Sequence, residues 1–138
     1  MNRKKILNGG KKFYIHPIFT NYAASKEGEI LNVKTGRILK KNLTDQGYYQ
    51  FKVNDKKLIK PKNYYIHRFE WECVKGVIPE GFVIDHCDSV KTNNQIENLQ
   101  LLTLAEKVRK VIGNQSPHLI LTITNKKIMI VLFLLHSN

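Results

Sequence analysis

The first half of the chain alternates apolar and polar residues with a period of two. From Tyr22 the pattern runs YAAS, a turn at Lys26 to Gly28, EILNV, a turn at Thr35 and Gly36, then RILKKNL. Asp45, Gln46 and Gly47 make the next turn. YYQFKV alternates as a further strand, followed by a hairpin tip at Asn54 to Lys57, a short LIK and a strand at NYYI. Alternation between turn clusters is what half-buried strands require, so residues 20–65 predict a small antiparallel sheet. At Ile66 the period changes. Ile66, Phe69 and Cys73 stand at i, i+3 and i+7, one face of a helix that runs to Lys75 and is ended by Gly76 and Pro79.

The second half repeats the change of period on a smaller scale. GFVI is an apolar strand that ends at Asp85 and His86, and QLLT is a second strand; the polar loop between them is too long for a tight hairpin and must be ordered by its own hydrogen bonds. LAEKVRKVI then places Leu104, Val108, Val111 and Ile112 on one helical face, with Thr103 and Glu106 at capping-box spacing. The unit is strand, loop, strand, helix. Residues 1–12, polar and basic with Gly9 and Gly10, predict a mobile arm able to touch phosphates. The closing run IMIVLFLL is too short to span a bilayer and reads as one added strand or an aggregation-prone tail. The change of composition after Gln115 suggests an altered reading frame or truncation at that point. The expected organisation is therefore a basic arm (1–19), a sheet module (20–65), a strand–loop–strand–helix module (66–112) and an apolar tail (113–138), α+β in class.

Composition narrows the partners. The 138 residues suffice for one domain or two very small ones, and 42% hydrophobic content excludes a wholly disordered chain. The formal charge of +12 attracts polyanions, nucleic acid before an anionic membrane. Its distribution matters more. Residues 34–62 carry nine basic side chains against two acidic, among them Lys34, Arg37, Lys40, Lys41, Lys52, Lys56 and Lys57. Residues 63–106 reverse the sign, three basic (Arg68 included) against seven acidic. That is either a phosphate-gripping surface beside a site for a cation or two solvated faces. The basic residues lie on predicted strands and do not line an amphipathic helix, which disfavours a membrane role. Tyr48, Tyr49, Phe51, Tyr64 and Tyr65 among the lysines divide between backbone contacts and core. His67 is either a nucleic-acid contact or a hydrogen-bonded packing residue. Cys73 and Cys87 lack the spacing and partners of a structural zinc site and read as reduced thiols, and the N-terminus has no signal-peptide core. An intracellular protein is expected, with no obligate protein partner evident.

The segments IHRF, PEGFVIDHCD and NNQIENLQLLT, in this order and spacing, resemble the HNH endonucleases of phages, large DNA viruses and mobile introns, whose fold is called the ββα-metal or His-Me finger. The stretch YAASKEGEILNVKTGRILKKNLTDQGYYQFKV also resembles the amino-terminal module of such proteins, so the likeness covers residues 20–110. It implies an enzyme, of nicking or homing type, that hydrolyses duplex DNA with one Mg2+ or Mn2+ ion. His86 would be the general base and Asp85 a hard oxygen ligand; Asn98 would hold the histidine loop across the hairpin, and Asn94 would order the loop. Two departures stand out. The family's third motif residue, Asn or His, falls on Lys107, whose ammonium has no lone pair to offer a cation. The loop reads HCDSVKTNN where the family shows HxDGN, so Ser89 replaces a turn glycine. The resemblance therefore implies either a nuclease, its activity impaired by Lys107, or a catalytically decayed DNA-binding protein that keeps the fold.

Overall fold

The computed structural model describes residues 3–113, together with the backbone of two later strands at 119–124 and 127–132. It divides into two compact units, Met1–Leu101 and Leu102–Asn138. The class is α+β.

The first unit begins with a four-stranded antiparallel meander: β1 (Lys5–Asn8), β2 (Lys11–Ile15), β3 (Tyr22–Ala24) and β4 (Ile30–Asn32). Residues 5–15 are thus a hairpin, where the sequence predicted a mobile arm. Asn8 pairs with Lys11 across a two-residue turn whose Gly9 and Gly10 both have positive φ, at +57° and +79°. Both central residues of a type I′ turn need that region, so the glycines close a hairpin and do not loosen a tail.

A three-stranded antiparallel sheet follows, formed by β5 (Asn42–Leu43), β6 (Tyr49–Val53) and β7 (Lys62–Tyr65). The predicted strand RILKKNL is reduced to a bridge between Leu31 and Ile38 and the two residues of β5. This segment crosses from one sheet to the other and pairs briefly with each; the Leu39 amide still donates to the Ile30 carbonyl before the chain leaves.

Helix α1 (Ile66–Val74) is the element both sheets pack on. Its buried face carries Ile66, Phe69 and Cys73, the predicted spacing. Phe69 has no exposed surface and is ringed by His16 at 4.1 Å, Phe51 at 4.8 Å and Tyr64 at 6.0 Å between ring centroids. The core around it draws Tyr14, Phe19, Tyr22, Ala24 and Ile30 from the first sheet and Phe51 and Val53 from the second. Alternation sends Phe13, Ala23 and Leu31 to the opposite face of the first sheet, where they form a smaller cluster.

Two polar devices lock this core. The Tyr22 hydroxyl donates to the Asn54 carbonyl and accepts from its amide at 3.0 and 2.9 Å, joining the two sheets. The buried His16 uses Nδ1 to accept from the Ile18 and Phe19 amides and sets Nε2 3.2 Å from Glu72.

The last part of the unit is a two-stranded sheet of β8 (Phe82–His86) and β9 (Leu99–Thr103), with a single 3-10 turn at Ile96–Asn98 before β9. Ile84, Ile96 and Leu99 pack with Trp71 and with Val74, which also borders the Phe69 core. One helix therefore carries the sheets on one face and the hairpin on another.

In the second unit, α2 (Leu104–Gly113) opens on the predicted capping box: the Thr103 amide donates to Glu106 Oε2 at 2.8 Å, and the Glu106 amide to Thr103 Oγ1 at 3.2 Å. The tail, read as one added strand or an aggregation-prone tail, contains two strands, β10 (Leu119–Thr124) and β11 (Lys127–Leu132), paired antiparallel with Thr124 opposite Lys127. Residues 114–118, 125–126 and 133–138 of the tail lie outside the described residues. Among the described residues no helix is long and apolar enough to cross a membrane.

Because Phe69 fills the space between both sheets, Phe69→Ala is expected to destabilise the protein by about 3–5 kcal/mol in chemical denaturation. A loss below about 1 kcal/mol would mean that the sheets do not share this core.

Candidate active site on the histidine hairpin

Strand β8 delivers Asp85 and His86 to its carboxyl end, and both are buried, 2% and 4% exposed. Neighbours on a strand point to opposite faces, and the contacts follow that rule. Asp85 Oδ2 accepts from Gln100 Nε2 on β9 at 2.9 Å. His86 turns toward the start of α1. Its ring centroid is 4.9 Å from that of His67 and 6.1 Å from that of Tyr48, and its Nε2 is 2.8 Å from Asn94 Oδ1. An amide oxygen can only accept, so Nε2 is the donor in this bond.

Between the strands, the loop is organised around Asp88. Its Oδ1 accepts from the Val90 amide at 2.8 Å and from Asn98 Nδ2 at 2.9 Å, and its Oδ2 accepts from Asn93 Nδ2 at 2.8 Å. These bonds to the ionised form, Asn93 foremost, pull its pKa below the ordinary carboxylate value. Asn98 closes the ring: its Oδ1 accepts from the Asp88 amide, its Nδ2 also reaches the Asn93 carbonyl, and its own carbonyl accepts from the Cys87 amide at 2.7 Å. The two asparagines thus divide the work. Asn98 orders the loop from across the hairpin, and Asn94 bonds the imidazole. Ser89, at the family's glycine position, has φ +61°.

Two turns of the amino-terminal sheets hold this loop from outside. Lys91 Nζ donates to the Gln46 carbonyl at 2.9 Å, in the turn between β5 and β6, and lies 4.9 Å from the centre of the Tyr48 ring. The Ile96 amide donates to the Lys26 carbonyl at 2.7 Å, in the turn between β3 and β4.

Beneath the site lies Glu70, fully buried on α1, both carboxylate oxygens without a hydrogen-bond partner among the described residues. Burial, helped by the nearby negative charges of Glu27 and Glu97, pushes its pKa up to about 9.

The other sequence candidates are spread over the surface. Lys34, Arg37, Lys40, Lys41, Lys52, Lys56, Lys57 and Arg68 are all exposed. Lys52 stands on the outer face of β6, opposite Asn63 of β7, while its neighbours Phe51 and Val53 face the core. Lys41 Nζ lies 4.4 Å from the centre of the Tyr49 ring. Lys107 is on α2, in the second unit. Sequence reasoning did not place Asp88, Gln100 or Tyr48 at the site, and it left His67 between packing and binding; the signals were the third residue of HCD and the histidine of IHRF. Cys73 is buried, Cys87 exposed, and neither is in a disulfide.

The profile of a family described as HNH endonuclease matches residues 64–109. That span holds every residue of the hairpin. The hairpin is therefore similar to those of the HNH endonucleases. The chain is 32% identical over 83 residues to the DNA endonuclease I-HmuI of Bacillus phage SP01, covering 60% of this chain and 47% of that protein. It is 30% identical over 64 residues to an uncharacterized gene 5.3 protein of Enterobacteria phage T3, covering 46% of this chain and 63% of that protein. The chain thus spans about half to three-fifths of the curated relatives it matches. A solved structure described as DNA binding and cleavage by the HNH homing endonuclease I-HmuI superposes with a TM-score of 0.65 at 26% identity, covering 75% of this chain and 60% of that one. The likeness extends beyond the HNH segment, so the amino-terminal sheets share the relative's fold.

Two outcomes follow from the site's local chemistry. Ser89→Gly relieves a left-handed backbone at a non-glycine residue and is expected to stabilise the protein by about 0.5–1 kcal/mol, read as a rise in Tm. An unchanged or lower Tm would show that Ser89 is not strained. The unfolded chain releases the Glu70 proton near 4.5, whereas the folded protein holds it to about 9. Stability from this group is therefore complete below the lower value, falls by up to about 1.4 kcal/mol per pH unit between them, and is gone above the upper. Tm should decline from pH 5 to 9, and Glu70→Gln should flatten that decline; equal slopes for the two proteins would refute the buried neutral acid.

Proposed function

We propose that this protein is a metal-dependent DNA endonuclease of the HNH type, hydrolysing or nicking duplex DNA with His86 as general base. The observation that carries the reading is the Asn94–His86 hydrogen bond within a family-matched hairpin: it fixes the hydrogen on Nε2 and leaves Nδ1 as the nitrogen that takes the proton of the attacking water. Asn98 and Asp88 keep the loop in one conformation, so the ring is oriented before substrate arrives. A homing endonuclease of phage origin, I-HmuI, is among its relatives, which supports DNA as the partner.

The donor set suits a single hard cation. Among the described residues no cluster of three or more His, Cys, Asp or Glu side chains is placed to hold a metal. Asp85, with the Gln100 amide beside it, offers carboxylate and amide oxygens, a chemistry that fits Mg2+ or Mn2+ completed by phosphate oxygens and water, not an all-protein cage. Such an ion, when bound, supplies charge stabilisation to the phosphate and the departing oxygen. The exposed residues Lys34, Arg37, Lys40, Lys41, Lys52, Lys56, Lys57 and Arg68 would neutralise backbone phosphates.

The burial of Asp85 and His86, with Lys107 at the family's third position, favours a second reading in which the protein binds DNA without turnover. Supercoiled plasmid incubated with Mg2+ or Mn2+ separates the two. The nuclease reading expects wild-type nicking that falls on the order of a hundredfold or more in His86→Ala, with DNA binding retained. Scission seen only in Lys107→Asn would establish the decayed binder in its place.

A further inference from the structure

We infer that the turn between β3 and β4 is the seat of Asn94, and that Gly28 is a positioning residue which sets the tautomer and orientation of His86 from 58 positions upstream. The inference rests on the nuclease reading only for its catalytic consequence; the seat itself is a matter of geometry.

Three observations meet at this turn. Gly28 has φ +83°, and a Cβ built on it would lie 2.8 Å from the Asn94 Cβ and 3.4 Å from the Asn94 carbonyl oxygen. Real Cβ atoms do not approach so closely, and the atom in the way is the root of a side chain next to its own backbone, not a flexible tip. The turn is also rigid. The buried Ser25 accepts at Oγ from the Glu27 and Glu29 amides, its own amide donates to the Glu29 carbonyl at 2.9 Å, and its carbonyl takes the Gly28 amide at 3.2 Å. Finally, the turn is fastened to the loop it supports, because the Lys26 carbonyl accepts from the Ile96 amide, two residues beyond Asn94. Below, Glu70 Oε2 lies 3.5 Å from the same Cβ position, so the glycine is held between the acid and the asparagine.

Asn94 is 5% exposed and its Oδ1 is the acceptor for His86 Nε2 at 2.8 Å. A displacement of Asn94 by a few tenths of an ångström stretches that bond and weakens the preference it gives for a hydrogen on Nε2. The ring then populates both tautomers, and in one of them Nδ1 is no longer a base. The lever is specific to Gly28. Gly81 has the same backbone conformation, φ +82°, with nothing within 4 Å of its Cβ position. An alanine there carries the same conformational cost without touching Asn94.

The test compares the full-length wild type with Gly28→Ala and Gly81→Ala, using the nitrogen-15 spectrum of the His86 imidazole, which distinguishes a protonated ring nitrogen from a bare one. Gly28→Ala should change the single Nε2–H form into a mixture and lower kcat about 10- to 100-fold with KM nearly unchanged. Gly81→Ala should keep the wild-type spectrum and kcat. If Gly28→Ala fails to fold, Ser25→Ala loosens the same turn without adding an atom and should shift the spectrum in the same direction. Wild-type spectra in both Gly28→Ala and Ser25→Ala, or an equal change in Gly81→Ala, overturn the seat. A wild-type protein that does not nick DNA sinks the nuclease reading instead, and the spectra still decide whether Gly28 governs the ring.

Discussion

An imidazole is tolerated out of water only when its nitrogens have fixed partners, and the hydrogen bond from His86 to Asn94 is the contact around which the hairpin is arranged. Everything nearby bears on that geometry. Asp88 and Asn98 settle the path of the loop, Lys91 and Ile96 tie it to two turns of the amino-terminal sheets, and α1 supplies the floor. The active-site candidate is thus shared between segments far apart in the chain. The sheets are part of the framework of the histidine.

Helix α1 makes this sharing possible. It is nine residues long, yet Phe69 and Cys73 face the sheets, Trp71 faces the hairpin and Val74 touches both. A helix buried on two sides has little room for polar side chains, and His67 and Glu70 are the exceptions. A carboxyl group there survives by staying neutral, since the alternative is an unsolvated charge with no hydrogen bond. The acid lies against the Gly28 turn under Asn94, so the polar chemistry of the interior is concentrated below the site.

Local physics made much of this legible in the sequence. Period-two alternation located most strands, the Ile66, Phe69, Cys73 spacing gave the buried face of α1, and Thr103 with Glu106 marked the start of α2. What alternation could not resolve was context. RILKKNL has strand character, but it is the crossing between two sheets and pairs only briefly with each. Gly9 and Gly10 serve flexibility and tight turns equally well, and only the pairing of Asn8 with Lys11 decides between them. At the site, the DH pair and the loop asparagines were readable from their order. The distinction between Asn94 and Asn98 was not, because it depends on which amide reaches the ring. His67 and Tyr48 were hidden for a similar reason: they join His86 through tertiary contacts that leave no periodic trace.

The fastening of Ile96 to Lys26 has a consequence for how such a module can be moved between chains. A strand–loop–strand–helix segment excised at Tyr64 would keep every letter of its signature and lose the platform on which its asparagine rests. Portability therefore belongs to the whole first unit, and a breakpoint between Gly28 and Ile66 would produce a recognisable motif without its alignment.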